Sequence, residues 1–255
     1  AALADVVPSV ENPNKYFDAN VNGTFNLLSF AKEKNVKKFI YAASSSCYGL
    51  AKDFPTKETD DIDLQYPYAL TKRLGEELVM HWGKLYNINV TSMRFFNVYG
   101  PRARTSGNYG AVFGVFLAQL LAKSPFTIVG DGNQTRDFTY VTDIANAMKY
   151  AMQSDKSGQI YNVGSGETIS INRIADLIGG IDYKRTYIPK RPGEPDCTFA
   201  DIMKIKNELN WSPLINIEEG VKKVLENIDY WREAPVWTPE SISKETKNWF
   251  KYLGK

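Results

Sequence analysis

The chain has little of what metal and disulfide chemistry requires. His81 is its only histidine, and Cys47 and Cys197 are its only cysteines. They form no C-x-x-C pair and are too few for a disulfide framework. Clustered His/Cys ligation of a metal is therefore excluded, and a reducing cytoplasm is the expected compartment. No apolar run approaches the ~20 residues that span a bilayer, and no signal peptide is expected. An excess of charge is missing too. The 31 basic and 29 acidic residues leave a net charge of +2, with no basic block. Nothing there argues for nucleic acid or an anionic membrane as partner. Repeats, low-complexity tracts and flexible linkers are absent. So is any strand leading into a G-x-x-G-x-x-G-type turn.

What is present is core material. Of 255 residues, 43% are hydrophobic and 13% aromatic, enough for one large domain or two lobes of one unit. In "NKYFDANVNGTFNLLSFAKEKN", Phe17, Val21, Phe25 and Leu28 recur at helical spacing. "KKFIYAAS" suits a buried parallel strand. In "YALTKRLGEELVMHWGKLY", Leu74, Leu78, Trp82 and Leu85 mark a second helix, and "INVTSMRFFNVYG" reads as a second strand. Strand, helix, strand at this spacing implies a parallel α/β unit. Further on, "AVFGVFLAQLLAK", "VTDIANAMKYAMQS", "INRIADLIGG", "IEEGVKKVLENIDYW" and "TPESISKETKNWFKYLG" read as helices. "FTIVG" and "GQIYNVGSG" read as strands, and "DGNQTRDFTYV" as a polar loop. Thr238 can cap the last helix, with Pro239 in its first turn. Two buried-type strands plus "IYNVG" make a thin sheet with an unpaired edge. The expectation is an N-terminally shortened α/β protein. Residues 1–100, with the 159–166 strand, form a partial nucleotide-binding half, and residues 101–255 mainly a second, mixed lobe.

The stretch "QYPYALTKRLGEE" places Tyr68 and Lys72 one helical turn apart on one face. Free tyrosine, with a pKa of ~10, is a poor base at neutral pH. A neighbouring ammonium favours the phenolate, so this spacing predicts a depressed phenol pKa and a general base. Hydroxyls from "YAASSSCYG", at the end of the first strand, would complete such a site where parallel sheets place their chemistry. A bare Y-x-x-x-K also occurs by chance, and as a surface pair it would do nothing.

The surrounding motifs decide between those readings. "SSSCYG", "YPYALTK", "RFFNVYGPR", "GDGNQTRDF" with "YV" and "DI" beyond it, and "RPGE" follow one another in order. Together they resemble the extended short-chain dehydrogenase/reductase family. More narrowly, they are similar to its NAD-dependent nucleotide-sugar 4-epimerases of the UDP-glucose and UDP-N-acetylglucosamine type. The resemblance runs from "AALADV" to about Pro213. It implies a Rossmann-like parallel sheet with a smaller substrate lobe, NAD as cofactor and a nucleotide-diphosphate sugar as substrate. Residue by residue, it makes Tyr68 the base and Lys72 the lysine that tunes it and holds the nicotinamide ribose. Ser44 becomes the hydroxyl bonding the sugar O4. Ala1 and Ala2 end a cofactor-contacting stretch, and Asn20 lies behind the site, as a relay residue or a helix-interior polar one. Asn97, Arg136, Arg191 and Glu194 grip the diphosphate and nucleoside ribose, which suits arginine forks.

The resemblance also separates relatives. Related 4,6-dehydratases and glucuronate decarboxylases carry acids where Ser45 and Ser46 stand. Their absence favours epimerisation, with a reductase or a glucuronate epimerase as alternatives. Thr198 falls beside the sugar, and a small residue there leaves room for an N-acetyl group. Cys47 reads as a packed side chain, Cys197 as packed or lining the sugar pocket, and His81 as lying too far along its helix to join the site. Helices 15–34 and 67–86 are implied as a four-helix homodimer contact, for which the Leu74, Leu78 and Trp82 series is suited, as it equally is for core packing. Against this stands the missing glycine-rich turn. The competing expectation is a catalytically silent fragment that binds nucleotide sugar weakly or only dimerises.

Overall fold

Three runs of apolar and β-branched residues build the central sheet. The computed structural model describes residues 2–103 and 111–254. In chain order the strands are β1 (Lys38–Ser44), β2 (Asn89–Phe95), β3 (Asn97–Tyr99), β4 (Phe126–Val129), β5 (Thr135–Arg136), β6 (Phe138–Tyr140), β7 (Gln159–Val163), β8 (Ile169–Ser170) and β9 (Arg185–Ile188). The helices are α1 (Val6–Glu11), α2 (Pro13–Phe17), α3 (Gly23–Glu33), α4 (Pro67–Tyr86), α5 (Val112–Leu121), α6 (Val141–Gln153), α7 (Ile171–Gly179), α8 (Met203–Leu209), α9 (Ile217–Glu226), α10 (Pro239–Glu245) and α11 (Lys247–Leu253). A π turn at Asp18–Asn22 joins α2 to α3.

The sheet runs β1-β2-β7, all parallel, with Ser44 opposite Phe95 and Phe95 opposite Val163. Among the described residues β1 is an edge strand. Helices α3 and α4 cover one face through Leu28, Tyr41, Val79 and Val90. Helices α6 and α8 cover the other through Ile144, Ala147, Ile205 and Leu209, with Trp211. Full burial of such side chains contributes about 1.5–3 kcal/mol each. Their placement on both faces explains why β2 is buried without interruption from Val90 to Arg94. A second core lies beyond the sheet, where Phe116 stacks on Phe126 and Tyr99 on Phe113, closed by Ile174, Val221 and Trp231.

Four local expectations need correction. The run 88–100 is not one strand. It breaks at Phe96, whose N–H still reaches the Val163 carbonyl (3.0 Å), while Asn97 turns to the Asp137 carbonyl (3.0 Å). That switch hands the chain to β3, which pairs with β6 in a separate ladder. The polar stretch 131–141 is not a loop throughout. It carries β5 and β6, because the buried Asp137 carboxylate is satisfied by Ser165 N (2.6 Å) and Oγ (2.7 Å), Gly166 N and Ala200 N. The last helix is divided at Thr246, whose hydroxyl donates back to the Ile242 carbonyl (2.8 Å); Thr238 caps its first half as expected. Elements α1, α8 and β9 carry no periodicity long enough to identify in the sequence.

Helix α4 also differs in which face it buries. Ala69, Lys72, Glu76 and Val79 face inward. Of the leucine series, Leu78 and Trp82 pack half-buried against the edge of the core around Val79, Leu74 is half-buried and Leu85 is 59% exposed. The inward face is narrow because β1 approaches closely. A Cβ on Gly75 would meet the Tyr41 hydroxyl at 2.2 Å.

Candidate active site

The site assembles at the carboxyl end of β1. There Ser44 caps the short 3₁₀ turn Ser45–Tyr48, accepting from the Ser46 N–H (3.2 Å) and donating to the Ser46 hydroxyl (3.0 Å). Pro67 opens α4 and holds Tyr68 in its first turn. The Ser44 hydroxyl lies near enough to the Tyr68 phenol to favour its charged form. The Tyr16 ring stands edge-on to the Tyr68 ring at 6.4 Å.

The electrostatics depart from the Tyr–Lys expectation. Burial pushes the Tyr68 phenol up to about 12, and the nearby Ser44 hydroxyl is the influence that pulls it back. The Lys72 ammonium is not what acidifies it. That group is buried, donates to the Ala42 carbonyl and lies 4.4 Å from the centre of the Tyr41 ring. Burial lowers Lys72 to about 8, against a raising influence from Glu76. One acceptor uses one of the ammonium's three donors. The chemistry that remains, a charged group with protons to give beside Tyr68 and the exposed edge residue Ala42, fits the hydroxyls of a nicotinamide ribose.

Asn20 is held by the fold and does not open onto the site. Its side chain accepts from Leu3 N (2.8 Å) and donates to Leu3 O (3.0 Å) and the Thr71 hydroxyl (3.0 Å). The π turn rotates it inward to make this clamp, which ties the opening segment to α4. Ala2 is exposed immediately before the clamped Leu3, and Ala1 lies outside the described residues.

The residues expected to hold the diphosphate converge from three segments. The Glu194 carboxylate bonds Arg136 Nη2 (3.3 Å) and both Nε (2.9 Å) and Nη2 (3.2 Å) of Arg191. Arg136 is buried, and its second nitrogen reaches the Thr135 carbonyl (2.9 Å). Asn97 is exposed and accepts from the Thr198 hydroxyl (3.0 Å), which in turn accepts from Asp137 N (3.2 Å). Glu194 is shared by two hollows. One, of about 180 Å³, is lined by Val129, Gln134, Arg136 and Lys190. The other, about 530 Å³, is lined by Leu50, Arg191, Pro192 and Phe250.

The two halves meet at Trp249 of α11. Its ring lies 5.6 Å from that of Tyr66 and 5.9 Å from the Arg191 guanidinium, and its N–H donates to the Pro192 carbonyl (2.7 Å). The Ser46 hydroxyl, next to Ser44, lies near the Tyr66 phenol. Trp249 and Tyr66 thus link the Ser44 turn to the Arg191–Glu194 loop.

A supporting network escaped sequence reading. Arg94 of β2 and Glu76 of α4 are both 2% exposed. Arg94 forks onto Glu76 (2.7 and 3.1 Å) and bonds the Tyr48 hydroxyl (2.7 Å). The signal was an arginine inside a strand with hydrophobic neighbours Met93 and Phe95, which must find a counter-charge if buried. Cys47 is buried beside this network, and His81 is exposed. No metal-binding cluster occurs among the described residues.

With that geometry in place, similarity can be weighed. The NAD dependent epimerase/dehydratase family model matches residues 1–164. A putative UDP-glucose 4-epimerase of Methanocaldococcus jannaschii is 37% identical, covering 88% of this chain and 74% of that protein. A UDP-glucuronate 4-epimerase of Thermodesulfobacterium geofontis is 39% identical, over 92% and 74%. Among solved structures, the UDP-N-acetylglucosamine 4-epimerase of Methanobrevibacter ruminantium superposes with a TM-score of 0.86. It is 32% identical, with 90% of this chain and 74% of that one covered.

Proposed function

Because the chain belongs to the NAD dependent epimerase/dehydratase family, we propose that it inverts C4 of a nucleotide-diphosphate hexose of the UDP-glucose or UDP-N-acetylglucosamine type. The observation that carries this is the buried Tyr68 phenol near the Ser44 hydroxyl where β1 ends, together with an arginine pair gathered on Glu194. NAD, when bound, supplies a positively charged nicotinamide that takes the C4 hydrogen with its electron pair and later returns it.

The chain's own residues do the rest. Tyr68 takes the proton of the sugar 4-hydroxyl and gives it back to the epimer. A neutral phenol at rest is suited to the return step, and the positive charge brought beside it favours the phenolate for the first. Ser44 fixes the direction of the sugar oxygen. Lys72 holds the nicotinamide side, and Ala2 with Asn20 shapes the backbone there. Asn97, Arg136, Arg191 and Glu194 hold the diphosphate and ribose while the 4-keto sugar turns. Thr198, tied to Asn97, leaves space for an N-acetyl group. In this reading residues 1–100 with the 159–166 strand form the cofactor half, and 101–255 mainly the substrate half.

UDP-glucuronate 4-epimerases among the relatives share this C4 chemistry. Dehydration and decarboxylation are less well supported, since the turn after Ser44 offers Ser45 and Ser46 where those reactions use acids. The active assembly we infer is a homodimer through α2–α3 and α4, where Phe25, Leu70 and Leu85 leave apolar surface uncovered. Two free cysteines suit a reducing cytoplasm. No helix among the described residues is long and apolar enough to cross a membrane.

The test is incubation with NAD and, separately, UDP-glucose, UDP-N-acetylglucosamine and UDP-glucuronate, with products resolved by proton NMR. Tyr68→Phe is expected to lower kcat by about 10²–10⁴-fold with an unchanged thermal melt. Absence of any epimer, or an undiminished Tyr68→Phe variant, overturns the proposal.

A further inference from the structure

Lys72 presents a problem of charge. Its side chain is 6% exposed, and no carboxylate lies within ion-pair distance of it among the described residues. Glu76, one turn along the same buried face, is fully engaged elsewhere. One of its oxygens accepts from Arg94 (2.7 Å) and Arg73 (2.6 Å), the other from Arg94 (3.1 Å) and Ser92 (2.8 Å). The ammonium's single hydrogen-bond acceptor is the Ala42 carbonyl. An isolated buried ammonium would shed its proton.

The remaining contact is the face of Tyr41. Its ring centre is 4.4 Å from Lys72 Nζ, within cation–π range. The ring is itself immobilised. Tyr41 is 7% exposed, its hydroxyl donates to the Lys72 carbonyl (3.2 Å), and only a glycine at position 75 lets α4 close over it. A single residue of β1 thus touches both ends of Lys72, ring under ammonium and hydroxyl on backbone. We propose that Tyr41 is the positioning residue for Lys72, an aromatic platform that holds the buried ammonium charged and aimed in place of a counter-ion. This rests on the reading of Lys72 as the lysine of the cofactor side.

The groups that face Lys72 define what else affects its charge. They are Glu76 and Tyr68 on α4 itself, Tyr41 on β1 and, beyond Glu76, Arg94 on β2. The nearest contribution of α3 is the uncharged Thr24, beside the Tyr41 hydroxyl. Ring and carboxylate effects are therefore separable by substitution at Tyr41 alone.

The experiment is an NMR titration of the protein labelled with ¹³C at lysine Cε, the Lys72 signal being assigned by its loss in Lys72→Met. Burial with partial compensation places the wild-type midpoint at about 8. Tyr41→Phe keeps the ring and is expected to leave the midpoint within about 0.3 unit. Tyr41→Leu removes the π face and is expected to lower it by about one unit. Trifluorophenylalanine at position 41 keeps the shape and drains the ring's charge; it is expected to behave like leucine and decides the matter where the leucine variant does not fold. Equal midpoints across the Phe, Leu and trifluoro proteins, or a Phe shift as large as the Leu shift, would overturn the proposal. A separate turnover assay on Lys72→Met keeps the two readings apart. Undiminished epimerase activity there removes the cofactor-side role of Lys72 and leaves the titration result to stand or fall alone.

Discussion

Desolvating Glu76 and Arg94 is costly, and their contacts with each other and with neighbouring polar groups offset it. Four donors on Glu76 achieve this: two from Arg94, one from Ser92 and one from Arg73. Glu76→Gln leaves Arg94 buried without its counter-charge, and a loss of about 3–5 kcal/mol is expected in urea unfolding. The sign with pH follows from the carboxyl, whose pKa the Arg94 hydrogen bonds and charge lower from 4.5 in spite of burial. A depressed folded pKa contributes stability that is full above 4.5 and lost as pH falls through the lower folded value. The wild type should therefore lose stability on acidification more steeply than Glu76→Gln, as urea midpoints between pH 7 and 3 will register. At this scale the sequence put Tyr68, Ser44, Arg136, Arg191 and Glu194 forward as candidates, because each sits in a dense local motif. It did not display the Tyr41 ring beside Lys72. Helical spacing reports which residues share a face, whereas the Tyr41 ring arrives from another strand.

Elements were legible where periodicity was long. The helix at 67–86 and the strand at 38–44 follow from apolar pattern, flanking proline and chain polarity. What α4 buries was only partly legible, since its most buried face carries Lys72 and Glu76 while Leu78 packs at the core's edge and Leu70 and Leu85 are exposed. Pattern reading assigns leucine to the core. Here close approach to β1 demands small and hydrogen-bonding residues instead. The division of 88–100 into β2 and β3 was hidden because both pieces are apolar and only their partners differ. Helix α11 acts on the site through one bond. Trp249→Phe keeps ring contact with Tyr66 and Arg191 but deletes the N–H to the Pro192 carbonyl. About 1 kcal/mol of support for the 190–194 loop is lost. KM for the nucleotide sugar should rise several-fold with kcat nearly constant, and an unchanged KM would separate α11 from the substrate loop.

The whole molecule is organised as two cores, one around the β1-β2-β7 sheet and one around α5, β4 and α7, with the cleft residues drawn from both. The first core leaves one outer surface incompletely covered. Phe25 (45% exposed) meets Trp82 edge-on, and Leu70 (43%) and Leu85 (59%) stand on the outward side of α4. Exposed apolar area of this kind marks a partner surface. Leu70→Glu with Leu85→Glu should convert a dimer into a monomer in light scattering while leaving the Tyr68 region folded. A wild type that is monomeric at micromolar concentration would remove this assembly from the account.

Glu194 sits between the two guanidiniums that we propose as the grip for a diphosphate. The cleft is in effect latched by an internal anion of its own. Any incoming nucleotide competes with that carboxylate on equal chemical terms, so a lone negative charge has little to gain by the exchange. A ligand bearing two adjacent phosphates can engage both arginines at once and release the carboxylate toward a sugar hydroxyl. Selectivity against the free hexose and against singly charged anions is thereby written into a three-residue quarrel over charge, ahead of any contact with the base.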